Sequence, residues 1–515
     1  MTTKTSPDAT SSDYDAMLPY WEMVETILDG ADAMKEAAQT YLPKFPNETT
    51  EDYEYRLENA KFTNVYADIV SNLAAKPFAE EVKLDDQAAS RFKTLAEDID
   101  GRGNNLHVFA ASTFFEGINN AVAWIMVEFT RAIPNPDGTR LSIAQEKAQG
   151  LRPYWVNVPA KRLLAVYTDV VGGQEIIVHA RIREDLTRRS GYDEVSVERV
   201  RVLNREPIVD AFNRVTAYAP ATFEVFERLS DGKGGSAWTS VDAGAITIGV
   251  IPLVPFITGR RKGGSWRFVP PLRDAAHLQV EHYQQETALK SIKELTAFPM
   301  LAGNGVQPAI VDGKPAMVPV GPRSVLYAPP SGGDNNSHGE WAFIEPSSES
   351  LRFLAEDVKN TEQQLRELGR QPLTAQTGIT VVSAAFASQK ASSAIQAWAL
   401  GLKDALEQGM VLTAAWLNET TAPTVSVFTD FALDAADDKG PTVLTEARKN
   451  GDLSRVTYWE ELQRRNILSA DFDPEEEMNR LDEELPNPDD AADLGAATTP
   501  PADPETPPAN DQQAA

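Results

Sequence analysis

The chain of 515 residues contains no cysteine, only five histidines, and no apolar run approaching the roughly 18 residues that a membrane helix needs. Without cysteine there are no disulfides, no thiolate metal sites and no thiol nucleophile, a composition suited to a reducing cytoplasm. The histidines (His107, His179, His277, His282 and His338) are dispersed. His277 and His282 lie about 140° apart on a helix, so they do not form a metal pair at i, i+4. Their spacing to Glu281 and Glu286 instead predicts pairs on a helix surface. The opening segment MTTKTSPDATSSDYDAMLPY lacks the basic and apolar regions of a signal peptide. A soluble intracellular protein without a membrane partner is the expectation.

Catalytic signatures are missing as well. There is no G-x-x-x-x-G-K-[ST] phosphate loop, no G-x-S-x-G elbow and no H-E-x-x-H pair. An ATPase motor is therefore not expected, and neither a metal nor any other cofactor is implied. Basic residues are in short supply: 48 Lys and Arg face 76 Asp and Glu, a net charge of -28. Tight wrapping by nucleic acid depends on cations that displace counterions from phosphates, and this balance opposes it. It remains compatible with a surface past which DNA slides without sticking.

What is present is organised in blocks. Residues 1–16 are rich in Thr, Ser and Asp, and residues 486–515 form a Pro, Ala and Asp tract; both predict disorder. Thr49 and Thr50 are positioned to cap one long helix, EDYEYRLENAKFTNVYADIVSNLAA. A helix follows over Asn105 to Asn119, then the strand AVAWIMVEF. From Arg152 to Gly259 short β-branched and aromatic runs alternate with Gly, Pro, Asn and Asp, an antiparallel β-rich texture with hairpin tips at Gly172-Gly173 and at DGKGG. The segment GRRKGGSWRFVPP is a concentrated basic patch, fit either for phosphate or an acidic neighbour, or for salt bridges within this acidic chain.

The stretch PPLRDAAHLQVEHYQQETALKSIKELTAF (270–298) then reads as a long helix with an apolar stripe of Leu272, Ala276, Val280, Tyr283, Ile292 and Leu295 and an otherwise polar perimeter. Lys290 and Lys293 near its C-terminal end complement the helix dipole. A Pro- and Gly-rich β-like insert, 299–345, separates it from a second helix carrying Leu351, Leu354, Val358, Leu365 and Leu368. The uncharged TAQTGITVVSA follows, then a long helix with Ala385, Ile395, Trp398, Leu402, Leu406, Met410, Leu412 and Trp416. A short strand, TVSVFTDF, leads to a compact helical unit over 441–484, with a break at Asn450-Gly451 and a new start at Ser454 or Thr457. A helix-turn-helix DNA reader and a small packing domain both fit that unit, although the neighbouring DFDPEEEMNRLDEEL would repel a duplex.

These blocks and their order resemble a tailed-bacteriophage portal protein, in a branch often described only as a domain of unknown function. The resemblance is carried by YLPKFPNETTEDYEYRLENAKFTNVYADIVSNLAAKPF (41–78), RPYWVNVPAKRLLAV (152–166), IPLVPFITGRR (251–261) with PPLRDAAHLQVEHYQQ (270–285), and TEARKNGDLSRVTYWEELQRRNIL (445–468). Together with the element order it covers most of residues 20–485.

The resemblance implies an α+β fold of wing, stem, clip and crown: a wing over 17–259, a basic loop and first stem helix over 260–298, a clip over 299–345, a second stem helix over 346–372, and a tunnel loop over 373–383. A long wing helix and strand over 384–434 and a crown over 435–485 complete it. It further implies a homo-oligomeric ring, typically of twelve copies and roughly 680 kDa, at one vertex of the virion capsid, assembled in the host cytoplasm. Double-stranded DNA would pass through that ring without sequence specificity. The terminase large subunit, a head-tail adaptor, and the major capsid and scaffolding proteins would be its partners. Gln376, Thr377, Gly378 and Thr380 of the tunnel loop, with Lys290 and Lys293, would face the channel; Val318, Val325, Tyr327 and Trp341 of the clip would meet subunits, motor or adaptor. No catalytic role is implied. A capsid-associated adaptor without a DNA channel and an uncharacterised soluble enzyme remain the alternatives.

Overall fold

The computed structural model describes residues 6–484 apart from 134, 136–138, 140–141, 231–234, 297–299, 305–309, 312–313, 316–339, 345–347, 371–380, 430–439, 465–467 and 469–471, and the side chains of 143, 147, 230, 295–350, 370, 381–393, 440–443, 464 and 481–484 also lie outside the description. The fold is α+β, as expected. The chain divides into two compact units, Met1–Phe431 and Ala432–Ala515.

The larger unit is organised by one strand. Val122–Phe129 is the centre of a three-stranded antiparallel sheet, flanked by Leu253–Ile257 and Pro153–Val158. Its first six residues are all buried. Because side chains alternate across a strand, Ala123, Ile125 and Val127 enter one hydrophobic core while Val122, Trp124 and Met126 enter another. The continuous apolar run read from the sequence thus reflects burial on both faces. The helix Leu106–Asn120, capped by Asn105 Oδ1 accepting from the Val108 N–H at 2.9 Å, and the helix Val381–Leu417 both pack against this sheet.

The second core lies between that sheet and a five-stranded antiparallel sheet in the order Ser236–Ala245, Thr222–Ser230, Arg199–Asn204, Gln174–Arg183, Leu163–Val171. The hairpin tip at Gly172-Gly173 is as expected, with φ of +60° and +83° that favour glycine. The DGKGG tip falls mostly outside the described residues, although its strands pair up to Ser230 and Ser236.

Two expectations are corrected here. Residues 6–16 are not a disordered lead: a helix, Ser12–Asp29, begins inside that segment with Ser11 as its cap. Tyr14 anchors it, since its ring meets Trp21 edge-on at 5.5 Å and its hydroxyl donates to the Lys161 carbonyl at 3.0 Å. Polar composition hid one buried aromatic. Likewise, the single helix expected from Thr49 is two, Thr50–Glu58 and Val65–Ala75. Thr49 caps the first as anticipated, but Asn64 Oδ1 accepts from the Ala67 N–H and starts a second helix. Asn59, Thr63 and Asn64 compete for backbone bonds and leave residues 59–64 as a strap between the two.

The smaller unit contains helices Gly440–Asn450, Arg455–Arg464 and Pro474–Glu484. Gly451 turns with φ +83°, and Ser454 Oγ accepts from the Thr457 N–H at 3.1 Å, so break and restart fall where the sequence places them.

Candidate functional site

The long helix opened by Pro270-Pro271 spans Arg273–Thr296. Its stripe of Leu272, Ala276 and Tyr283 is buried in the first core, with Val280 packed against it and Ile292 half-buried. The side chain of Leu295 lies outside the described residues.

Much of its polar perimeter is engaged by the chain itself. Gln279, fully buried, accepts from the Tyr66 N–H and donates to the Thr63 carbonyl, each at 2.9 Å. Thr287 Oγ1 accepts from the Lys61 N–H at 3.3 Å and donates back to the Lys61 carbonyl. Glu286 accepts from the Thr63 N–H at 3.1 Å, from the Thr63 hydroxyl at 3.0 Å and from Lys61 Nζ at 2.7 Å. Gln284 donates to the Tyr41 carbonyl at 2.8 Å. The helix is therefore fastened along one side to the 59–64 strap and the first turn of Val65–Ala75 by a polar seam. Arg273, Asp274, His277, Glu281 and Lys293 remain exposed.

Lys290, one of the two lysines assigned to the channel by the resemblance, donates to the Asn59 carbonyl at 2.8 Å and lies 3.8 Å from Glu294. The surface pairing expected of His282 is overturned: the residue is fully buried, and its Nδ1 stands 4.0 Å from the nearest Glu286 oxygen. The stripe that includes Leu278 and Tyr283 carries this face of the helix into the protein's own core.

The second long helix, Ser348–Arg370, packs on the first in the antiparallel sense: Gln285 Nε2 approaches Asp357 at 3.4 Å while His282 faces Glu362 and Arg366. The predicted stripe is the packed one, with Leu365 fully buried and Leu351, Leu354, Val358 and Leu368 half-buried. Gly369 lets this helix approach Val65–Ala75 so closely that a Cβ there would overlap Ile69. The insert between the two helices contains an antiparallel pair, Met300–Asn304 with Glu340–Ile344, in which Trp341 sits opposite Gly303, and a shorter pair, Ile310–Val311 with Lys314–Pro315. Val318, Val325 and Tyr327 lie outside the described residues, as do Gln376, Thr377, Gly378 and Thr380. The third long helix begins at Val381, so the last three residues assigned to the tunnel loop are helical.

That third helix meets the central sheet at Trp155, whose indole N–H donates to Thr413 Oγ1 at 2.8 Å in a fully buried pair. Within the basic patch 259–271, Arg261 and Arg267 are engaged by the chain itself. Arg261 pairs bidentately with Glu175 at 2.8 and 2.7 Å and stacks over Trp266, while Arg267 pairs with Asp13 at 2.9 Å. The Arg261 pair, with a bond from the Thr168 hydroxyl, holds the Glu175 carboxyl down at about 2.

Between the two sheets lies a cavity of about 580 Å³ whose lining includes Glu128, Tyr154, Arg199, Arg201 and Asp242. Arg201 bridges Glu128 of the central strand and Glu184, whose oxygen is 2.9 Å from its Nε. Burial works against both charges. It pushes the Glu184 carboxyl up to about 7, with Arg199 and Arg162 opposing, and lowers Arg201. Among the described residues no cluster of three His, Cys, Asp or Glu side chains can hold a metal ion, and no helix is long and apolar enough to cross a membrane.

Residues 271–417, from the proline before the first long helix to the end of the third, match a family described as a domain of unknown function, DUF4055. No curated protein matches the chain. Among solved structures, it is similar to a chain in the neck of a native GTA particle computed with C12 symmetry, at 11% identity over 77% of this chain and 88% of that one, TM-score 0.35. A chain in the virion of a native gene transfer agent (GTA) particle is 10% identical over 82% of this chain and 98% of that one, TM-score 0.36. One in the neck of an empty GTA particle computed with C6 symmetry is 12% identical over 76% and 88%, TM-score 0.37.

Proposed function

We propose that this chain is a portal protein: a non-enzymatic subunit of a ring at one capsid vertex, through which double-stranded DNA is packaged and ejected. One observation carries the reading. The antiparallel pair Arg273–Thr296 and Ser348–Arg370 is anchored on one side and joined at its far end through an insert containing the Met300–Asn304 and Glu340–Ile344 pair. At about 1.5 Å per residue, its first helix is a rod near 36 Å long. Such a rod, fastened on one flank and polar on the other, suits the wall of a conduit. The sequence strings that resemble portal proteins lie on both sides of this pair and include the first half of its first helix.

In this reading the insert docks the terminase motor and later the head-tail adaptor, and the segment 373–383 lies toward the bore. The ring contacts scaffolding and major capsid proteins at its rim. The net charge of -28 keeps a sliding duplex from being held by the wall. The test is to purify the full chain, weigh it by light scattering and image it down its symmetry axis. A closed ring with a central opening wide enough for a duplex is expected. Particles with the mass of one or two chains, or rings without a bore, would overturn the proposal.

A further inference from the structure

His282 is a buried imidazole whose ring makes no hydrogen bond among the described residues. It is fully buried between the first long helix, the second long helix and the strap, and among the described residues neither ring nitrogen has a hydrogen-bond partner. Buried polar atoms are normally satisfied, so an imidazole left bare requires a reason. Its surroundings supply one. Four charged groups face it: Glu286 from its own helix, Lys61 from the strap, and Glu362 and Arg366 from the second long helix.

Arg366 is held by Glu362, through Nε at 3.0 Å and Nη2 at 2.8 Å. Glu286 is held by Thr63 and Lys61, with its Oε2 4.0 Å from His282 Nδ1. The shell is balanced in charge, and the neutral ring fits it without a bond. A proton would add an unbalanced charge and a donor whose closest carboxylate is already in use.

We propose that His282 and Glu286 form a proton-operated latch: with His282 neutral, Glu286 fastens the first long helix to the strap through Thr63 and Lys61, and with His282 protonated, Glu286 turns to the imidazolium and the strap is released. The proton comes from solvent and no covalent bond changes. Moving the carboxylate about 1 Å closes the gap to hydrogen-bond distance, and the same movement lengthens its bonds to Thr63. Burial lowers the imidazole below its ordinary value of 6.5, with Glu286 and Glu362 opposing. The unfolded chain therefore takes up the proton first, and the stability contributed by neutral His282 is present above 6.5 and lost as pH falls below it.

Hydrogen exchange of the full chain, read by mass spectrometry at about pH 7.5 and about pH 5.5 and corrected for intrinsic rates, tests the latch. Opening of the 60–66 peptide is expected to rise by up to about tenfold per pH unit below 6.5. His282→Gln removes the titrating ring, and Glu286→Gln keeps an oxygen for Thr63 but lacks the charge; both should flatten that rise. Equal acid opening in His282→Gln, or none in the natural chain, would refute the latch. If neither variant folds, exchange of the His282 Cε1 proton in the natural chain decides: titration below 6.5 supports the latch, and titration at or above 6.5 overturns it.

Discussion

Replacing Gln279 by Leu tests whether the polar seam, rather than the apolar stripe alone, holds the first long helix. Gln279 is fully buried and makes two bonds of 2.9 Å, one to the Tyr66 N–H and one to the Thr63 carbonyl. The Tyr66 N–H belongs to the first turn of Val65–Ala75, where no intrahelical acceptor exists. Leucine conserves the volume and removes both partners. An orphaned, buried backbone N–H costs about 1–3 kcal/mol, and the half-buried carbonyl, which water can reach, about 0.5–1.5 kcal/mol. A net loss of about 2–4 kcal/mol is expected. Gln284→Leu is the matched control: one bond of 2.8 Å to the Tyr41 carbonyl is lost from a half-buried site, worth about 1 kcal/mol. Urea unfolding of the full chain gives both midpoints. If Gln279→Leu shifts the midpoint no further than Gln284→Leu, the seam does not anchor the helix.

Two further perturbations address the rest of the larger unit. Gly409→Ala raises helix propensity by about 1 kcal/mol, yet the new Cβ would stand 2.8 Å from the Trp155 ring, which its bond to Thr413 keeps from moving aside. Net destabilisation by about 1–3 kcal/mol is expected in thermal or urea unfolding, and a gain in stability would contradict the packing. Glu184, pushed up from 4.5 to about 7, favours its protonated form in the folded chain, so its contribution is present below 4.5 and lost as pH rises through about 7. Glu184→Gln mimics the neutral form and should resist unfolding better than the natural chain above about pH 7. This sign is opposite to that of His282, so the comparison is made in a His282→Gln background, where equal responses with Glu and Gln at 184 would show that Glu184 does not titrate as described.

Where periodicity and caps act locally, the sequence was a good guide. Thr49 and Ser454 cap where expected, and the stripe from Leu351 to Leu368 is the one that packs. The α+β class that the resemblance implies is the one observed. The strap was missed because a polar seam leaves no apolar period. Asn59, Thr63 and Asn64 inside an assumed helix were the available signal, since these residues favour caps over helix interiors. The burial of His282 was missed for a related reason: spacing along one helix shows which residues can meet on it, but not that a second helix covers them. The start of the N-terminal helix hung on Tyr14 alone, within a composition that otherwise reads as unstructured.

The division of labour around the first long helix also explains why so little apolar face suffices. On the seam side its polar groups replace hydrophobic contact with bonds to a strap that cannot close its own backbone, so geometry there is specified by hydrogen bonding. The second helix supplies the apolar partner, and its outward face carries Arg352, Glu356, Lys359 and Glu367, two charges of each sign, around an exposed Phe353. A face of mixed sign attracts no polyanion strongly, whereas it can pair with a differently ordered face on a neighbouring copy, which is the requirement of a ring closed by heterologous contacts. In the proposed ring Phe353 is the residue such a neighbour would cover, and the charges around it would set the register between subunits.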